Sequence, residues 1–204
     1  MAIRLQKQSV TDQTITLGTG EQHSHVLGPE LKLTNCELII ACSSFRSVIV
    51  TDVEMENCRV VTKKPLKNWQ HWCSARIRNS TFLGTFIGND FGHWEDQSRF
   101  GSIEGCDFSQ AILHECRLFG CDVSSMKFAP WPTFVIVDPC RHKSELQAAN
   151  WPEELELWAE LVPDEEPIVS ASVCNADRIV AEDGGSAAGL HDVLASLPFV
   201  IGSK

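Results

Sequence analysis

The stretch CDFSQAILHECRLFGCDVSSMKF, residues 106–128, decides how the chain is read. Cut into fives from Cys106, it places Phe108, Leu113, Leu118, Val123 and Phe128 at the central position. Two residues before each stand Cys106, Ala111, Cys116, Cys121 and Met126. A helix repeats near 3.6 residues and a strand at 2, so a period of five belongs to neither alone. It fits short extended segments, each turning a corner, with the large residue and the smaller one before it on the same inward face.

The same frame extends back through Gly101–Gly105 and reappears over residues 75–89, and more loosely over 31–40. A longer period overlies it. NCEL starts at Asn35, NCRV at Asn57 and NSTF at Asn79, each 22 residues apart, and GCDF follows at Gly105 after 26. Self-similarity at this period indicates stacked coils. Four pentads would close one coil, and successive coils would pair through backbone hydrogen bonds at roughly 4.8 Å.

The pattern resembles that of pentapeptide-repeat proteins, over about residues 31–130 and most specifically over 101–128. The resemblance implies an all-β solenoid, a right-handed quadrilateral β-helix. The chain departs from the family's usual repeat in placing Cys at the small position. Two further departures read as insertions, KKPLKNWQHW at 63–72 and DFGHWEDQSRF at 90–100.

A solenoid must cover its open ends. Residues 13–27, two alternating runs about a Gly-containing turn, predict a hairpin, so residues 1–30 are expected to form an N-terminal cap. Residues 131–204 form a C-terminal acidic extension: they hold 13 acidic and 4 basic side chains, a net of −9, whereas residues 1–130 hold 14 and 13, a net of −1. In the extension, APWPTFVIVDP is an apolar run suited to covering a coil, and three short helices are expected, in CRHKSELQAA, WPEELELWAEL and SAAGLHDVLASL. AEDGGSAAG reads as a loop.

A net charge of −10 disfavours nucleic acid and anionic membranes as partners. No run of eighteen apolar residues and no apolar leader is found in the sequence, so a cytoplasmic location is expected, with the nine cysteines as reduced, small core residues. No P-loop, dinucleotide fingerprint, HExxH or GxSxG occurs. No enzyme activity, cofactor or metal is therefore expected.

The residues expected to contact a partner lie mainly in the two insertions: Trp69, His71 and Trp72 in the first, and Asp90, His93, Trp94, Glu95, Asp96 and Arg99 in the second. Glu165 and Glu166 of the acidic extension join them. Tryptophan and arginine dominate protein interfaces, and loops on a rigid scaffold often carry function. The expected function is thus a protein-binding module. The resemblance extends this to an immunity protein that neutralises a toxin by direct binding. The alternatives are a DNA-mimic acting on DNA gyrase and a structural interaction scaffold.

Overall fold

The structure, a computed structural model, describes residues 2–18, 24–42, 45–98, 100–162 and 166–202. It is a parallel β-solenoid of about five turns followed by a smaller mixed unit. The first coil holds β1 (Arg4–Leu5), β2 (Gln8–Thr11) and β3 (Thr14–Leu17). The second holds β4 (His25–Leu27), β5 (Leu31–Thr34) and β6 (Glu37–Ile40). The third holds β7 (Val48–Val50), β8 (Val53–Glu56), β9 (Arg59–Thr62) and β10 (Leu66–Lys67). The fourth holds β11 (Ala75–Arg78), β12 (Thr81–Ile87) and β13 (Asp90–Gly92). The fifth holds β14 (Ser102–Glu104), β15 (Asp107–His114) and β16 (Cys116–Phe119), and β17 (Lys127–Phe128) begins the next turn.

Strands of successive coils stack into three long parallel walls, and β13 and β16 pair parallel as a fourth in the last two coils. Wall 1 is β1-β4-β7, wall 2 is β2-β5-β8-β11-β14, and wall 3 is β3-β6-β9-β12-β15-β17. The register repeats the sequence period: Leu31 pairs with Val53 and Val53 with Ala75, while Arg76 pairs with Ser102 across the longer interval. In the last coil the period shortens to four pentads, since Phe108 pairs with Phe128. Ile103, Phe108, Leu113, Leu118 and Val123, five residues apart, all enter one core. Here residues 107–114, all but the first and last of the pentads 106–110 and 111–115, form the single long strand β15, whose pairing with β12 shifts register between Thr81 and Leu83. The early coils close with three ladders rather than four equal sides.

The corners explain the recurrent asparagine. Asp12, Asn35, Asn57 and Asn79 occupy equivalent corners between walls 2 and 3, with φ between 49° and 55°, and Gly105 follows at 62°. Short polar side chains and glycine tolerate this left-handed conformation best. After every one of these corners but the first, the next residue turns inward, and Cys36, Cys58, Ser80 and Cys106 are buried there, whereas Gln13 is exposed. The Cys36 thiol donates to the Val10 carbonyl at 3.4 Å, and the Cys58 thiol to that of Leu33 at 3.4 Å, one coil earlier in each case.

Two expectations are corrected. The solenoid begins at Arg4, and residues 13–27 do not form a hairpin: β3 pairs with β6, whereas β4 sits between β1 and β7 on another wall. Residues 63–72 are not an insertion either. They supply β10 and a 3-10 helix (His71–Ser74) that continue the coil inward.

Beyond Phe128 the chain closes the solenoid. The apolar run, expected to cover a coil, does so as the strand β18 (Thr133–Val137), with Val135 in the solenoid core. The helices α1 (Lys143–Ala148) and α2 (Glu156–Leu161) also fall in predicted segments. Next come β19 (Val169–Asn175) and α3 (Ala176–Asp183), which were not expected, and then α4 (Ala187–Ser196) and β20 (Val200–Ile201). β19 pairs antiparallel with β16 and with β18, and β20 pairs antiparallel with β18, so a coil edge becomes a closing sheet. Val135, Ala171 and Val173 face the solenoid core, whereas Phe134, Ile136 and Cys174 face a second core with the helices. Among the described residues, no helix is long and apolar enough to cross a membrane.

Candidate functional site

The residues expected at the partner surface divide into buried and exposed sets. Trp69 and Trp72 are core side chains, 0% and 1% exposed. Trp72 stacks on Phe91 at 5.9 Å, and its indole N–H donates to Asn89 Oδ1 at 3.1 Å. His71 is half-buried with its ring edge-on to Trp69. Their burial removes the two tryptophans from the accessible surface: both take inward positions of the coil, although lysines neighbour them in sequence.

The second group gathers around Arg117. Its Nε and Nη2 donate to Asp90 Oδ1 and Oδ2 at 2.8 and 3.0 Å, a bidentate pair with the carboxylate buried. The guanidinium lies 5.3 Å from the Trp94 ring centre and 5.1 Å from that of Phe119, and the two rings stack 4.5 Å apart. The His93 amide donates to the Phe119 carbonyl at 2.8 Å. Asp90 and Trp94 are thus buried and fasten the 93–101 turn to the coil; they are not exposed contact residues. Glu95, Asp96 and Glu166 are exposed. Arg99 and Glu165 lie outside the described residues. Cys73 packs with Trp94, Phe119 and Val169. Burial, reinforced by the Asp90 charge, pushes its thiol up to about 12.

Several concavities of similar size open on the described surface, one of about 370 Å³ beside Asp90 and Arg117, and two that adjoin on the outer face of wall 2. The latter two, of about 360 and 310 Å³, share Lys32 and Glu54. Lys32, Glu54 and Arg76 are in register on β5, β8 and β11. Lys32 Nζ stands 3.0 Å from Glu54 Oε2, and Arg76 Nη1 is 3.6 Å from Glu54 Oε1. A parallel row carries Glu56, Arg78 and Glu104, with Arg78 Nε 3.6 Å from Glu104 Oε2. Strand alternation produces both rows, because Leu33, Met55 and Ile77 between them point inward.

Phe100 roofs one side of this groove. The Phe100 ring lies 4.1 Å from the Arg76 guanidinium carbon, and Arg76 Nε donates to the Phe100 carbonyl at 3.3 Å. Gly101 seats the turn: a Cβ there would run into the Cys73 and Gly92 carbonyls. The contribution of the second insertion to an accessible site is therefore Phe100 rather than Trp94. Lys32, Glu54 and Arg76 escaped sequence reading because each is an ordinary outward residue of a strand. The 22-residue spacing that aligns them was the available signal.

One further cluster lies where the solenoid meets α3. His114, Glu115 and Glu182 offer ligand atoms within 4.8 Å of one another. His114 Nε2 is 3.2 Å from Glu182 Oε2, and Nδ1 is buried without a partner. A metal on Nε2 would put the ring proton on Nδ1, where it would be a buried orphan donor. The geometry fits a hydrogen bond from Nε2 to Glu182 instead, fastening the helix to the coil.

Fold and groove together define a β-solenoid with a charged, aromatic-roofed sheet face. Compared with known proteins, the chain matches no family model, no curated protein and no solved structure.

Proposed function

We propose that the protein is a non-enzymatic protein-binding module whose docking surface is the wall 2 groove. The observation that supports this most is the Lys32–Glu54–Arg76 row beneath Phe100. Exposed ion pairs of this kind contribute only about 0–1 kcal/mol each, so they exchange partners at little cost. Alternating signs at fixed strand spacing favour a partner with complementary charges over a uniformly charged polymer. Arginine and an aromatic ring side by side are the groups that concentrate interface energy. The rigid sheet leaves little ordering entropy to lose on binding.

In its most concrete form the proposal makes the protein an immunity protein that occupies a toxin in the cytoplasm, a step that rests on the resemblance of the repeat. DNA mimicry toward gyrase draws less support, because it needs a continuous acidic face and wall 2 alternates in sign. Co-expression with the product of the neighbouring gene tests the proposal. Co-elution and rescue of growth, both abolished by Arg76→Glu and by Phe100→Ala with the circular dichroism spectrum unchanged, are expected. Rescue unaffected by both substitutions would remove the groove from the function. A neighbour that neither inhibits growth nor co-elutes would remove the immunity role.

A further inference from the structure

The two ends of the solenoid are finished differently. At the far end, β16 passes its edge to β19, and β18, β20 and the helices cover the core. At the near end, β1, β2 and β3 are each the outermost strand of their ladder among the described residues. Such an edge presents a row of backbone donors and acceptors without ladder partners, a template for another strand.

Natural edges are guarded by lysine, proline or a bulge. β2 reads QSVT and β3 reads TITL, with no charge and no proline in either. Both pair with the next coil in unbroken register. The interior is also less well covered at this end. Gln8 stacks in register on Leu31, in an inward row, yet is exposed. Val10 and Ile15 are 8% and 6% exposed, against 1% for Leu33 and Leu38 directly beneath them.

We infer that a second copy of this chain covers the near end, with β2 pairing antiparallel to the partner's β2 about a two-fold axis. Another first coil has the same outline, so it can meet the walls together. Such a contact is isologous and closes as a dimer. The charges agree with this arrangement. Lys7 and Asp12, both exposed, stand at the two ends of uncharged β2. Antiparallel pairing of inward with inward residues brings Lys7 to within one position of the partner's Asp12. Wall 2 becomes one sheet running through both copies. The grooves, whose near limit is lined by Lys7, Gln8 and Ser9, then meet at the axis. The inference is independent of any toxin partner.

Sedimentation and light scattering of the 204-residue chain test it. At about 100 μM, enough to populate a dimer with a Kd of about 10 μM, a particle of twice 22.6 kDa is expected. Ser9 is exposed on the outward face of β2, close to the proposed axis, so the two copies of residue 9 lie near each other. Ser9→Lys and Ser9→Glu place like charges together, and each weakens the dimer by about twofold to fivefold. Mixing the two variants pairs opposite charges and restores association to within about twofold of wild type. A monomeric wild-type chain, or a dimer indifferent to both substitutions, or variants that do not recombine, would overturn the inference.

Discussion

Arg117 holds Asp90 across adjacent strands by two hydrogen bonds, 2.8 and 3.0 Å long, on the outer side of the coil. The pair is unequally exposed: the Asp90 side chain is 4% accessible and that of Arg117 is 28%. Removing the arginine strands a buried carboxylate, whereas removing the carboxylate leaves a cation that can still reach water. Arg117→Ala is therefore expected to cost about 3 kcal/mol, in the range for breaking a buried pair. Asp90→Ala is expected to cost less, about 1–2 kcal/mol. Urea unfolding of both variants measures the asymmetry, and equal losses would show the pair to be solvated.

Burial also sets a limit on alkaline stability. It pushes the thiols of Cys73, Cys116 and Cys121 up to about 12 and that of Cys106 up to about 11. A thiol raised above its ordinary value of 9.0 stays protonated in the fold while the unfolded chain ionises. The stabilisation is complete below that value and is lost as pH rises toward the folded one. Unfolding free energy is expected to fall between pH 9 and 12, by more than about 1 kcal/mol per pH unit. Cys116→Ala and Cys106→Ala together should flatten that slope, whatever they do to stability at neutral pH.

The left-handed corners carry a local conformational demand. Asn57 has φ 52° and its amide donates to the Arg78 carbonyl of the next coil at 3.1 Å. Asn57→Ala is expected to cost about 1 kcal/mol through backbone strain, and Asn57→Gly close to nothing. Thermal unfolding of the pair of variants gives the comparison; a larger loss for glycine would contradict the corner geometry.

Gly101 couples the scaffold to the groove. Alanine there must displace the 93–101 turn away from the Cys73 and Gly92 carbonyls. Phe100 then leaves Arg76. Gly101→Ala is expected to slow no step of folding in β1–β9 but to raise amide exchange in residues 93–101 by at least about tenfold, since local opening needs only about 1.4 kcal/mol for that factor. Unchanged exchange in the turn would show that it has room for the methyl group.

How far the sequence could be read follows from these same residues. Ile103, Phe108, Leu113, Leu118 and Val123 were legible because each fills one step of a pentad, with one inward bulk per segment. Asn35, Asn57 and Asn79 were legible because one corner conformation recurs once per coil. The first coil was missed because Asp12 takes that corner with Gln13 after it, so no Asn-Cys signature marks it. β19 was missed because its partner β16 is some fifty residues away, as with Leu118 and Ala171, and a seven-residue segment that mixes Val, Ala and Cys with Ser and Asn does not reveal a distant pairing. Trp69 and Trp72 misled because neighbouring lysines gave an inward segment the composition of a loop. The groove escaped because Lys32, Glu54 and Arg76 become neighbours only when coils stack, and their shared 22-residue spacing was the one mark of it in the sequence.

The stacking itself is open to direct measurement. Met55 pairs in register with Leu33 on one side and Ile77 on the other, and Ile77 pairs with Ile103, all four side chains buried. With rungs about 4.8 Å apart, methyl-labelled protein should show nuclear Overhauser contacts in an unbroken series from Leu33 to Met55, Ile77 and Ile103. An unlinked Met55 and Ile77, with contacts instead between segments adjacent in sequence, would contradict a coiled chain.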